Sequence, residues 1–244
     1  KCRKLRLNFN DHLRVSNITS DLSALRMLSM KGCKMPYLPK TVSNMRRISQ
    51  FILQDNVLET LPDTFTKLRS LTLLDLTNNL LYDIPKGFSA LSNMKTLILE
   101  GNNIEYIPEG LSNMTVLQVL TISKCRLVDF PDSMCDFDML KKLNLERNQL
   151  VMVPDRLKNL PLVELRIGHN SIERLPDDMF DGKLGEFVKR FSCCENNLLE
   201  LPSSLYKVDK EGHLEADFNP LISPPTYILS EGMRTVQMYM EIRE

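Results

Sequence analysis

Tryptophan is absent from this chain, histidine occurs three times, and only 9 of the 244 residues are glycine. These gaps remove most catalytic and nucleotide-binding readings. No G-x-x-x-x-G-K-[ST] phosphate loop, G-x-G-x-x-G turn, H-E-x-x-H helix or G-x-S-x-G elbow can be assembled from the residues present. His12, His169 and His213 are scattered. His169 is expected near Arg147 and Glu195 with no nucleophile in reach, which describes a surface histidine rather than a general base. An excess of one charge is lacking too. Lys and Arg number 31 against 31 Asp and Glu, so nothing favours a phosphate backbone and no nucleic-acid partner is expected. No apolar run approaches the roughly 18 residues that a membrane helix needs. The six cysteines form neither a C-x-x-C pair nor a terminal cluster, so no zinc site is expected. The reading is of a chain with no enzyme activity, cofactor, metal or transmembrane segment.

What the chain does have is a period. In Leu71–Pro85, LTLLDLTNNLLYDIP, the apolar residues Leu71, Leu74, Leu76 and Leu81 surround Asn79, and Pro85 follows. Leu74 and Leu76 alternate as on a short strand with one buried face. Asn79 falls at a turn, where a buried carboxamide can satisfy backbone groups that the turn leaves unpaired. The asparagine slot recurs as Asn10, Cys33, Asn56, Asn79, Asn102, Cys125, Asn148, Asn170, Asn196 and Asn219. The interval is 23 residues except for 22 before Asn170 and 26 before Asn196. Nine of the slots are followed by a proline in the place of Pro85, from Pro39 to Pro225.

The motif L-x-x-L-x-L-x-x-N-x-L resembles the leucine-rich repeat. Uniform 23-residue units with Leu-Pro or Ile-Pro after the turn are similar to the cytosolic arrays of the Ras-suppressor, Erbin, Scribble and plant Ras-group proteins. The ending Asn219-Pro220-Leu221, Pro224-Pro225, Gly232 and Tyr239 looks like the close of arrays in Roco-type GTPases. The resemblance implies an α/β solenoid, a horseshoe with a parallel sheet on its concave face and short helices or 3₁₀ turns on its convex face. It also implies protein recognition in signalling without catalysis by the repeats.

The expected organisation is an array of about ten units over residues 1–225 and a C-terminal capping helix over 226–244. The first unit is ragged: His12 replaces the apolar residue after Asn10, no proline follows, and the N-terminal end is expected to be incomplete. Three-residue spacings such as Phe65, Leu68 and Leu71 suit a single outer 3₁₀ or helical turn. The three extra residues near Asp177–Phe187 are expected to lengthen one outer helix. After Gly232, Met233, Val236 and Met240 make a helical stripe, expected to cover the open edge of the last strand.

Cys33 and Cys125 occupy asparagine slots, Cys2 and Cys193 occupy leucine slots, and Cys135 is expected on the outer side. Free thiols in a reducing, cytoplasmic compartment fit this placement. The sequons at Asn17 and Asn113 point the other way, towards an extracellular receptor.

Function in such an array belongs to the outward strand positions. There Met27, Ile52, Leu73, Ile98 and Val119 are expected to draw an apolar line over consecutive repeats, with Asp55, Asp75 and Glu100 close by. Further on, Lys124, Lys141, Lys142, Arg147, Arg166, Lys189 and Arg190 face Glu146, Glu164 and Glu195, an expected basic zone. An apolar centre beside zoned charge has the character of a protein interface. The leading expectation is an intracellular scaffold or adaptor whose protein partner binds the concave face. The family resemblance suggests a small GTPase, a phosphatase or another signalling protein as that partner. The alternatives are a regulatory arm of a GTPase–kinase or ubiquitin ligase, and an extracellular recognition receptor.

Overall fold

The computed structural model describes residues 2–11 and 22–243. His12 and the sequon at Asn17 lie outside the described residues. The chain falls into two compact units, Lys1–Arg126 and Leu127–Glu244.

The first unit carries β1 (Lys4–Arg6), β2 (Met27–Ser29), β3 (Gln50–Ile52), β4 (Leu73–Asp75), β5 (Thr96–Ile98) and β6 (Val119–Thr121). Each pairs in parallel with the next at an offset of one repeat, so Leu28, Phe51, Leu74, Leu97 and Leu120 stand side by side at the strand centres. All five are fully buried. Each strand is three residues long because only its central side chain points inward. Proline then opens a 3₁₀ turn on the far side, at Lys40–Asn44, Asp63–Lys67, Lys86–Ala90 and Glu109–Asn113. Proline suits this position because its φ is preset and its missing N–H has no helical partner to lose. The turns send Val42, Phe65, Phe88 and Leu111 into the core. Phe51, Phe65 and Phe88 stack along it with centroids 6.1 and 5.9 Å apart.

The second unit carries β7 (Lys142–Asn144), β8 (Glu164–Arg166), β9 (Arg190–Ser192) and β10 (His213–Glu215), again parallel and in chain order. Its 3₁₀ turns are Asp132–Asp136, Asp155–Asn159 and Ser203–Lys207. In the 26-residue repeat a turn at 177–180, which buries Met179 and Phe180, is followed by a short α-helix, α1 (Lys183–Phe187), which buries Leu184. Phe180 meets Phe191 edge to face at 5.5 Å. Cys135, expected on the outer side, is buried within the turn Asp132–Asp136. That burial pushes its thiol up to about 12.

After β10 the chain forms α2 (Thr226–Ser230) and α3 (Met233–Arg243). Helix α3 buries Val236, Gln237 and Met240. It packs on the turn Ser203–Lys207, where the Gln237 amide donates to the carbonyls of Tyr206 (3.1 Å) and Val208. Met233 reaches the cleft beside Leu214. Leu214 and Leu221 nonetheless stay half-buried, so the helix seals the outer turn more completely than the strand edge.

Two backbone devices recur in every repeat. The ladder asparagine joins neighbouring repeats: Asn79 accepts from the Leu58 N–H (3.1 Å) and donates to the carbonyls of Leu53 (3.0 Å) and Leu76 (2.9 Å). Asn56, Asn102, Asn170, Asn196 and Asn219 repeat the pattern. Cysteine keeps only the donor half, with the Cys33 thiol 3.1 Å from the Leu7 carbonyl and the Cys125 thiol 3.4 Å from that of Leu99. The residue before each slot is left-handed. Phe9, Gly32, Asp55, Asn78, Gly101, Lys124, Arg147, His169, Glu195 and Phe218 all have φ between 50° and 69°. A strand that must turn inward within one residue needs that conformation, and side chains other than Gly, Asn and Asp adopt it at a cost.

Candidate functional site

The outward positions of β2–β6 form two rows, set by the strand register. The first row runs Met27, Gln50, Leu73, Thr96, Val119, and the second runs Ser29, Ile52, Asp75, Ile98, Thr121. The five apolar residues therefore do not make the single line expected. They alternate between the rows, about 7 Å apart along the strand, and each has polar neighbours within its own row. Ile52, Leu73, Ile98 and Val119 are partly exposed, whereas Met27 is 9% exposed. The apolar surface of this unit thus centres on Ile52, Leu73 and Ile98.

The acidic groups nearby are engaged. Asp75 is buried, and its carboxylate accepts from the Thr77 N–H (3.1 Å) and hydroxyl (2.7 Å) and from the Gln54 amide. It shapes the exit from β4, and Gln54 and Thr77 are partners that periodicity alone does not reveal. Glu100 pairs with Lys124 at 2.7 Å. Asp55 is held below the usual carboxylate range by the Asn78 amide, against the effect of burial and with help from Lys31 at 3.2 Å.

On the second unit the outward rows are Lys142, Glu164, Arg190, His213 and Asn144, Arg166, Ser192, Glu215. The charges there interlock. Glu164 accepts from Arg166 (2.7 Å) and lies 3.2 Å from Lys142. Burial would raise its carboxyl, but these two hydrogen bonds outweigh burial and hold it low. The hydrogen bond to Glu164 also raises Arg166, which reaches Glu146 at 4.0 Å. Glu215 is lowered first by the Ser192 hydroxyl and, against burial, by His213 at 3.1 Å. Beside these rows the left-handed residues are linked as well. The Arg147 guanidinium meets His169 Nε2 at 3.2 Å, and His169 Nδ1 lies 2.8 Å from Glu195. With Arg147 donating, the proton sits on Nδ1 and donates to Glu195.

Lys142, Arg147 and Arg166 are therefore members of a compensated mesh rather than an open basic field. Lys189 and Arg190 are exposed and have no ion pair among the described residues. A register one repeat long brings these partners together, and the spacing of acids and bases within a single repeat does not reveal it. Among the described residues no group of three or more His, Cys, Asp or Glu side chains is placed to hold a metal ion. No described helix is long and apolar enough to cross a membrane.

A leucine-rich-repeat family model matches residues 74–127. Comparison with curated proteins gives no match. Solved structures similar to this chain include a leucine-rich-repeat protein of Leptospira interrogans (TM-score 0.79, 23% identity, covering 86% of this chain and 53% of that one). The ectodomain of the Arabidopsis thaliana receptor kinase GASSHO1/SCHENGEN3, in complex with Casparian strip integrity factor 2, matches at TM-score 0.76 and 24% identity over 90% of this chain and 27% of its own. An internalin of Listeria monocytogenes matches at 0.71 and 20% identity, over 82% and 56%. The chain thus spans between 27% and 56% of the length of these structures. Parallel strands offset by one repeat, proline-led 3₁₀ turns, the asparagine ladder and the family match lead to one conclusion: this chain has the leucine-rich-repeat fold.

Proposed function

We propose that the chain is a protein-binding module acting as an intracellular signalling scaffold or adaptor, with a protein partner seated on the outward face of its strands. The observation that carries this reading is the staggered apolar surface at Ile52, Leu73 and Ile98 on the first unit. Outward aliphatic side chains on a water-facing sheet gain little for the fold, and contiguous ones mark contact surfaces. Two staggered rows call for an occupant wide enough to touch both, such as a helix or a folded loop. Val119 extends the surface at one end and the mostly buried Met27 backs it at the other, while Asp75, between Ile52 and Ile98, and Glu100 add polar groups. On the second unit, Lys189 and Arg190 offer unpaired positive charge to acidic groups of a partner, flanked by Lys142, Arg147 and Arg166. Small GTPases, phosphatases and other signalling proteins are the partner classes this reading entails.

The thiols support a reducing, cytoplasmic location. Cys33, Cys135 and Cys193 are buried, all six cysteines are free, and two of them donate within the ladder. A second reading, an extracellular recognition domain, is favoured by likeness to receptor ectodomains, including Drosophila Toll in its complex with Spatzle (TM-score 0.76, 23% identity).

The test is affinity capture with the intact chain, quantified by mass spectrometry, comparing wild type with a Leu73→Ser, Ile98→Ser double variant. Proteins bound through the apolar surface should be depleted at least tenfold from the variant, at unchanged melting temperature. Equal recovery of every captured protein by the two chains would refute the strand-face reading.

A further inference from the structure

The first unit exposes a second surface, on the flank between the ladder turn and the following proline. There the chain is extended: Met35, Leu58, Leu81 and Ile104 point inward, and the residues on either side of them point out. Successive turns are joined by Val57 N–H to the Met35 carbonyl, Leu80 N–H to Leu58 and Asn103 N–H to Leu81. These bonds stack the outward side chains at the repeat spacing of about 4.8 Å. This flank carries Tyr37 and Tyr106, four residues past the ladder slot, and Tyr82, three past it, which are 63%, 65% and 57% exposed, together with the partly exposed Val57 and Leu80. No Tyr37, Tyr82 or Tyr106 hydroxyl has a hydrogen-bond partner among the described residues.

The unpaired charge on this flank between Tyr37 and Tyr106 is negative. Glu59, Asp83 and Glu105 lie between the tyrosines, all exposed and without an ion pair among the described residues. The basic side chains at equivalent positions of this unit are Lys34, already paired with Asp11 at 2.6 Å, and Arg126 at its far end. On the strand face of the same unit, by contrast, Asp55, Asp75 and Glu100 are all engaged. Of these two faces, the flank is the one whose carboxylates are unpaired, and they lie among aromatic rings.

We propose that this flank is a docking surface for an extended, arginine-rich segment of a partner protein, distinct from the strand face. Guanidinium groups are the chemistry that uses both features, pairing with carboxylates and stacking on tyrosine rings. The aliphatic pair Val57 and Leu80 accommodates apolar residues between the arginines. From Tyr37 to Tyr106 the surface crosses three repeat intervals, about 15 Å, which an extended segment of five or six residues spans.

The experiment uses the full chain and a fluorescent peptide of about eight residues built of alternating Arg-Arg and Leu-Leu pairs, so that one face of the extended chain carries both types, titrated by anisotropy. Binding should weaken at least tenfold with Tyr82→Ser and with Glu105→Lys. It should fall as salt rises, and it should survive the Leu73→Ser, Ile98→Ser changes on the strand face. A peptide with Glu in place of Arg should not bind, and one with Lys should bind more weakly than Arg. Glu59→Lys is a second charge reversal should the melting temperature of either flank variant fall. The proposal is overturned if the Arg–Leu peptide fails to bind, if the Glu peptide binds equally, if the flank variants match wild type, or if the strand-face substitutions abolish binding. Because it reads a different surface with a defined probe, the outcome is independent of the capture experiment.

Discussion

Replacing Asn102 with leucine isolates what the ladder contributes. Asn102 is 5% exposed and makes three strong hydrogen bonds, accepting from the Leu81 N–H (3.0 Å) and donating to the carbonyls of Leu76 (3.0 Å) and Leu99 (2.8 Å). The three losses are unequal. The Leu76 carbonyl also accepts from Asn79 at 2.9 Å, and the Leu99 carbonyl keeps the Cys125 thiol at 3.4 Å. The Leu81 N–H has no second acceptor among the described residues, so it is the group left buried and unpaired. That alone costs about 1–3 kcal/mol. The carbonyls, each retaining one donor, add less, which places Asn102→Leu near 3 kcal/mol. Asn102→Cys reproduces what occurs naturally at Cys33 and Cys125 and restores a donor but no acceptor. It should cost less than the leucine variant while leaving the same N–H exposed to loss. Urea unfolding at constant m-value measures both differences. Amide hydrogen exchange should show Leu81 losing protection in both variants. An unchanged midpoint for the leucine variant, or a Leu81 amide as protected as in wild type, would refute the ladder account.

Four further outcomes follow from the geometry. At the left-handed positions, Gly101→Ala should destabilise by about 1–2 kcal/mol, because its φ is 69° and a Cβ there would lie 2.4 Å from the Asn78 carboxamide oxygen. The exposed Phe218 (φ 57°) should behave oppositely, with Phe218→Gly raising stability by about 1 kcal/mol in the same urea assay. Glu164 has its folded-state pKa below the ordinary 4.5, so its stabilisation is present above that pH and is lost as pH falls through the folded value. Glu164→Gln should therefore flatten the decline of melting temperature below pH 4.5, and an identical acid profile in wild type and variant would contradict the mesh around Arg166. For the thiols, non-reduced protein should titrate six free cysteines after unfolding. In the folded state the exposed Cys2 should react first, and Cys135 and Cys193, both raised by burial, should stay silent. Four or fewer thiols after unfolding would favour the extracellular reading.

The repeat itself was legible in the linear pattern, because each slot answers to one local requirement. An inward side chain must be apolar, a buried turn needs a carboxamide, and the chain leaving it is fixed by proline. Those needs recur every 23 residues and leave their mark on residue type at Leu74, Asn79 and Pro85. The longer outer segment was legible for the same reason, as an insertion that interrupts the period, although it is built as a turn at 177–180 followed by the five-residue helix Lys183–Phe187 rather than as one longer helix.

Other features depend on neighbours a full repeat away. Lys124, Arg147, His169 and Phe218 carry no local signal for a left-handed backbone, yet the turn that seats the next asparagine imposes it on all four. The alternation of Ile52, Leu73 and Ile98 between two rows, and the locking of Lys142 and Arg166 onto Glu164, follow from strand register. Residue order along one repeat does not contain that register. Cys135 belongs to the outer segment, as its place between proline and strand implies, but its burial depends on the 3₁₀ turn, which rotates two consecutive side chains, Met134 and Cys135, into the core. The flank tyrosines are scattered in sequence at Tyr37, Tyr82 and Tyr106, and only stacking of the turns brings them onto one flank. Periodicity determines which side chains are inside; only the packed array decides which of the outside ones meet.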